Sequence, residues 1–100
     1  MQATVTVTDG CATVSLAGRF DFNAHREFRE AVDNAVSQST KSITVDFEAV
    51  EYLDSSALGM LLMLRDKAKT AGRDVALVHC KGPVKQVLDI ANFGKLFRIE

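Results

Sequence analysis

The chain has one proline, no tryptophan and two cysteines, and its 13 acidic residues nearly cancel its 12 lysines and arginines. Each scarcity excludes something. Cys11 and Cys80 stand far apart and form no C-x-x-C pair, so their spacing offers neither a redox motif nor a zinc site, and both read as packed or idle thiols. A net charge of −1 with mixed signs leaves no broad basic field to hold nucleic acid or an anionic membrane. No stretch approaches the ~18 apolar residues of a spanning helix. Met1-Gln2-Ala3-Thr4-Val5 lacks the cationic start and apolar run of a signal peptide. The expectation is a cytoplasmic protein without direct membrane insertion. No H-x-x-x-H pair, calcium-loop series or glycine-rich phosphate loop is present, so no metal or other cofactor is expected.

What the chain does have is 47% apolar residues over 100 positions, enough for one core and one domain, residues 1–100. Val5 and Val7, then Ala12, Val14 and Leu16, alternate with polar residues on either side of Asp9-Gly10, a dipeptide suited to a tight hairpin turn. From Asn23, a candidate N-cap, to Ser37, the residues Ala24, Phe28, Ala31, Val32, Ala35 and Val36 recur at helical spacing. Ile43, Val45 and Phe47 alternate as a third strand, followed by a connection over 50–54. A long apolar helix then runs from Ser55 to about Ala71, closed by Gly72. Val75 to Val78 reads as a strand covered on both faces, Gly82-Pro83 opens a helix carrying Val84, Val87, Leu88 and Ala91, and Leu96 to Ile99 reads as an edge strand. The order β, β, α, β, α, β, α, β predicts an α/β fold: a mixed, mostly parallel sheet with an N-terminal hairpin and three helices packed on it.

The segment Tyr52-Leu53-Asp54-Ser55-Ser56-Ala57-Leu58-Gly59 carries the information, because strand-to-helix junctions of α/β sheets are where ligands and partners dock. Asp54 can cap the helix and the two serines then occupy its first turn, where free N–H groups and the helix dipole favour a negative group. A plain capping role for the serines competes with a modifiable one. At ~100° per residue, Ala57, Leu61, Leu64, Ala68 and Ala71 fall on a core face. Ser55 falls opposite, with Gly59, Leu62 and Asp66, flanked by Met63; Ser56 lies nearer the core edge. Ser55 is therefore the better acceptor of a modification, beside an apolar surface that either docks a partner or is covered by a loop.

At Asp54-Ser55-Ser56-Ala57-Leu58-Gly59 the chain resembles the bacterial anti-sigma-factor antagonists, single STAS (SpoIIAA-like) domains whose signature runs Asp-Ser-Ser/Thr-Gly-Leu-Gly. The resemblance extends to Leu16-Ala17-Gly18-Arg19-Phe20-Asp21, to Ile43-Thr44-Val45-Asp46-Phe47, and to Val84-Lys85-Gln86-Val87-Leu88 with Phe93-Gly94-Lys95-Leu96-Phe97. It implies partner switching: the unphosphorylated form binds an anti-sigma factor that is also a serine kinase, phosphorylation of Ser55 (less so Ser56) releases it, and a phosphatase restores it. Asp21 would lie beside the acceptor and Asp54 would precede it. Asn23, Ser56, Gly59, Leu62, Met63 and Asp66 complete the expected partner-binding surface. Ala57 departs from the usual Gly, which should stiffen the first turn without removing the switch.

Two other readings use the same residues. A hydrolase would take Ser55 as nucleophile with His25 or His79 as base, but no glycine flanks the serine as G-x-S-x-G requires, so no enzyme is expected. A STAS subunit of a lipid-transport ABC complex would use the surface around Ser55 as a structural partner, without obligatory phosphorylation.

Overall fold

Asp9 and Gly10 both take positive φ, 51° and 77°, the conformation that lets a two-residue loop match the twist of its strands. They join β1 (Gln2–Thr8) to β2 (Cys11–Phe20) as an antiparallel pair. In the computed structural model, which describes Met1–Glu100, there follow a 3₁₀ turn (Phe22–Ala24), α1 (His25–Ser37), β3 (Ser42–Leu53), α2 (Ser55–Thr70), β4 (Asp74–Val78), α3 (Gly82–Ile90), a second 3₁₀ turn (Phe93–Lys95) and β5 (Arg98–Ile99). The five strands lie side by side in chain order, and every pairing after the hairpin is parallel. The expected architecture is present: one mixed sheet, three helices, a hairpin at one edge.

All three helices pack on one face of the sheet. Phe28, Ala31, Val32 and Ala35 of α1, Ala57, Met60, Leu61, Leu64 and Ala68 of α2, and Val84 and Leu88 of α3 share a single core with Val14, Leu16, Val45 and Phe47 of the strands. The other face carries Thr4, Thr6, Thr13, Ser15, Ser42 and Thr44, which are half-buried or exposed. The fold is thus two layers, and the reading of Val75–Val78 as a strand covered on both faces is corrected. Leu77 points into the helical core, while Ala76 is shielded within its own row, paired with Thr44 on one side and Arg98 on the other.

Four further boundaries differ from expectation, the simplest being the last strand, which takes only Arg98–Ile99 of the expected Leu96–Ile99 because Leu96 still closes the second 3₁₀ turn. β3 does not stop at Phe47 but runs to Leu53, because its register against β2 slips twice, between Ser15 and Ala17 and between Gly18 and Arg19. Each slip inserts an extra β3 residue, so its buried positions fall at Phe47, Val50 and Leu53 and the period of two is lost. Asn23 does not cap α1; it sits inside the 3₁₀ turn, whose cap is Asp21, and α1 begins at His25. Ala71 is exposed, because α2 ends at Thr70 and Gly72 takes φ +73°. The Gly72 N–H donates to Lys69 and the Arg73 N–H to Ala68, the paired bonds of a Schellman closure that a left-handed residue makes possible.

β3 pairs with β4 only as far as Asp46. Its remaining residues, Phe47–Leu53, extend beyond the end of β4 and are accompanied on the other side by β2 alone.

Candidate functional site

The last paired residues of β2 and β3 are Phe20 and Leu53, opposite each other. The next residue on each strand is an aspartate, so register alone sets Asp21 and Asp54 side by side. The Asp54 N–H donates to the Phe20 carbonyl at 3.3 Å, tying the two loops together. Both aspartates are half-buried, and each caps the helix that follows it. Asp21 Oδ1 accepts from the Asn23 N–H at 3.0 Å, and Asp54 Oδ1 accepts from the Ala57 N–H at 3.1 Å.

Asp54 therefore fills the capping role, and the serines are left without it. Ser55 is exposed, Ser56 is half-buried, and neither hydroxyl bonds to the protein. Ser55 sits in the first turn of α2, where leading N–H groups lack helical acceptors and the dipole is positive. Neither histidine is hydrogen-bonded to Ser55: His25 is exposed at the start of α1, and His79, whose φ is +57°, follows β4 and meets Asp46.

Along α2, Gly59 is exposed, and a methyl group added there would meet nothing within 4 Å. Leu62 is 38% exposed, so no loop covers it. Met63 is partly buried and packs against the core. Asp66 does not join the group. It lies eleven residues on from Ser55, roughly 16 Å along the axis at 1.5 Å per residue, in a groove with Asp33 and Lys67. Asn23 is exposed in the 3₁₀ turn beside Asp21.

The STAS domain pattern matches residues 2–100. The chain belongs to the STAS family. It is similar to a STAS-domain containing protein of Pseudomonas aeruginosa, at 45% identity over 87% of this chain and 85% of that protein. It is also similar to the anti-sigma-F factor antagonist RsfB of Mycobacterium tuberculosis, at 30% identity over 96% of this chain and 80% of the relative. Among solved structures, the Bacillus anti-sigma factor antagonist SpoIIAA in its unphosphorylated form superposes with a TM-score of 0.80, at 21% identity, over 98% of this chain and 87% of that one. That likeness establishes the SpoIIAA-like fold.

Two residues of this STAS domain that periodicity did not single out stand at the same end. Phe22, directly after Asp21, is 74% exposed. A phenylalanine at a strand-to-helix corner has no periodic neighbours to mark it as outward-facing, so the corner itself was the available signal. Tyr52 is also exposed, and the Arg19 guanidinium lies 4.1 Å from its ring centroid while Arg19 Nε approaches Asp21 Oδ2 at 3.6 Å. Arg19 thus links the aromatic ring to the aspartate, although such exposed contacts stabilise by well under ~1 kcal/mol each.

A separate titratable group lies where β3 and β4 part. His79 Nδ1 is 2.9 Å from Asp46 Oδ1, and Lys81 Nζ donates to Glu48 Oε1 at 2.8 Å. The hydrogen bond and charge of Asp46 hold His79 above its ordinary value. Partial burial pushes the Asp46 carboxyl up, but donation from the Glu48 N–H and from His79 outweighs it and holds the group low. The thiols differ: burial pushes Cys80 up to about 11. At Cys11 burial also raises the value, yet hydrogen bonds from Ser42, Thr44 and Thr13 bring it below the ordinary one. No cluster of three or more His, Cys, Asp or Glu side chains is placed to hold a metal ion, and no helix is long and apolar enough to cross a membrane.

Proposed function

We propose that the chain is an anti-sigma-factor antagonist that works by partner switching, with Ser55 as its phosphoacceptor and no catalytic activity of its own. The observation that carries this reading is that Asp54 takes over the helix cap, leaving the Ser55 hydroxyl exposed and unbonded in the first turn of α2. A serine with no structural task at a helix N-terminus can be modified without loss of the fold. RsfB, named an anti-sigma-F factor antagonist, supports the class of partner.

In the unphosphorylated state the partner packs on Ser55, Gly59 and Leu62, with Phe22 as a further anchor. A phosphoserine brings ~1.5 to 2 negative charges next to Asp54 and Asp21, and closing an interface over it costs desolvation and like-charge repulsion. About 3 kcal/mol of such penalty weakens binding more than a hundredfold. The kinase and the anti-sigma factor are one partner, a serine phosphatase resets the switch, and the exchange takes place in the cytoplasm.

The test is side-by-side affinity capture with Ser55→Ala and Ser55→Asp proteins from a lysate of the source organism, with circular dichroism to show that both fold. A kinase-fold regulator retained by the Ala form and lost by the Asp form supports the switch. Equal retention by both forms overturns it, and equal retention of ABC-transporter subunits assigns the surface to structural docking in a lipid-transport complex.

A further inference from the structure

At the opposite end of α2 a concave cavity of about 500 Å³ opens beside the edge of β4, within the size range of small-molecule sites. For a chain with net charge −1, its lining is unusual: Arg65 and Lys69 from α2, Arg73 from the turn after it, and Arg98 from β5, against one acid, Asp74. Arg65, Lys69 and Arg73 form no ion pair with any carboxylate. Arg98 uses its Nε on Glu100 at 2.7 Å.

Two of these cations are also held in place. Arg65 Nε donates to the Leu96 carbonyl at 3.3 Å, and Arg73 Nη1 donates to the Ala35 and Val36 carbonyls at the end of α1. The remaining guanidinium nitrogens of Arg65 make no bond within the protein. Complementing the dipole at the C-terminus of α2 accounts for Lys69, and bonding the last carbonyls of α1 accounts for Arg73; neither accounts for Arg65, more than a turn earlier, or for Arg98 on another element. Val75 and Leu96 add an apolar part to the lining. The ladder to β5 starts only at Ala76, so β5 leaves the Asp74–Val75 edge uncovered.

We propose that this cavity binds a small polyphosphate-bearing molecule. Four cations from three elements, three of them without a carboxylate partner, match a ligand with several negative charges, and guanidinium forks fit phosphate oxygens. The concavity favours a small molecule over the flatter face of an acidic protein, and Val75 and Leu96 accept its organic part. Lys69 lies roughly 20 Å along the axis from Ser55 at 1.5 Å per residue, so this site does not depend on the proposed switch.

Sodium tripolyphosphate is the probe, titrated in ~50 mM salt, where screening is weak, and followed by calorimetry and by amide NMR shifts. Saturable one-to-one binding is expected, with shifts concentrated at Lys69, Arg73, Val75 and Arg98. Lys69→Glu and Arg98→Gln, both at exposed positions, should retain the amide spectrum of the fold and weaken binding by about tenfold and about threefold respectively. Arg26→Glu, on α1, should leave binding unchanged. The proposal is overturned by a titration that does not saturate, by equal weakening from Arg26→Glu and Lys69→Glu, or by a chain that binds phosphatidylglycerol vesicles while ignoring tripolyphosphate.

Discussion

At its N-terminus α2 is held by a side chain, Asp54 Oδ1 on the Ala57 N–H, whereas at its C-terminus the closing bonds are backbone ones, Ala71 to Lys67, Gly72 to Lys69 and Arg73 to Ala68, with the Thr70 hydroxyl adding a bond to the Asp66 carbonyl. The N-terminal end presents exposed Ser55, Gly59 and Leu62 beside half-buried aspartates, and the C-terminal end presents cations. Between them Leu61 and Leu64 are fully buried. One rigid rod thus offers two chemically opposite surfaces. The end nearest the exposed serine depends on one replaceable carboxylate, while the other would survive most side-chain changes except at Gly72.

The severest way to break the comparison is to remove the middle. Leu64→Ala should destabilise by about 3 kcal/mol through lost burial and a cavity and loosen both ends together; urea unfolding measures it, and a change under 1 kcal/mol would show that the core relaxes around the gap. Phe22→Ala should divide stability from binding. The exposed ring should leave the unfolding midpoint within ~0.5 kcal/mol, while capture of the partner falls about thirtyfold, near 2 kcal/mol; unaltered capture would remove Phe22 from the interface.

Asp54→Ala and Gly72→Ala set the two closures against each other. Loss of the cap should cost about 1 kcal/mol, and forcing Ala into positive φ about as much. Hydrogen exchange should localise the first loss to residues 55–58 and the second to 68–73, and global loosening in either case would show that the ends are not separable. Leu62→Glu should change stability by less than ~0.5 kcal/mol while weakening partner capture; a collapse of the thermal midpoint would mark Leu62 as core.

The smallest effect concerns pH. Because Asp46 raises the pKa of His79 in the fold, the folded state holds that proton more tightly than the unfolded chain. The contribution is complete below the ordinary histidine value, about 6.5, and is lost as pH rises through the higher folded value. NMR titration of Asp46→Asn should return His79 to its ordinary value, and an unchanged midpoint would assign the shift to another neighbour.

How much of this could be read from the chain depended on periodicity. The core stripe Ala57, Leu61, Leu64 and Ala68 is visible because α2 is regular for sixteen residues. Met60 was missed because burial spreads wider than one narrow stripe, and Ala71 was misplaced because the Schellman turn ends the helix just before it. The far half of β3 was hidden by two register slips that turn a two-residue alternation into spacings of three. Asn23 looked like a cap because its side chain suits one, but Asp21, two residues earlier, takes the task through the extra 3₁₀ turn. Ser55 was legible because a helical wheel and the Asp-Ser-Ser pattern point to the same residue. The basic cavity was not, since Arg65, Lys69, Arg73 and Arg98 meet only when α2 and β5 are folded together.

The overhang of β3 past β4 has a mechanical meaning. Seven residues of strand, roughly 20 Å at the usual rise before bulging shortens them, carry Asp54 and Ser55 forward of the place where the neighbouring strand stops. None of the cavities is lined by Asp21, Asp54 or Ser55. The serine therefore stands on a promontory. In the proposed switch this chain is the key and its partner supplies the lock: a kinase cleft has to close around this tip, and a single phosphate is enough to make the key too large and too charged to turn.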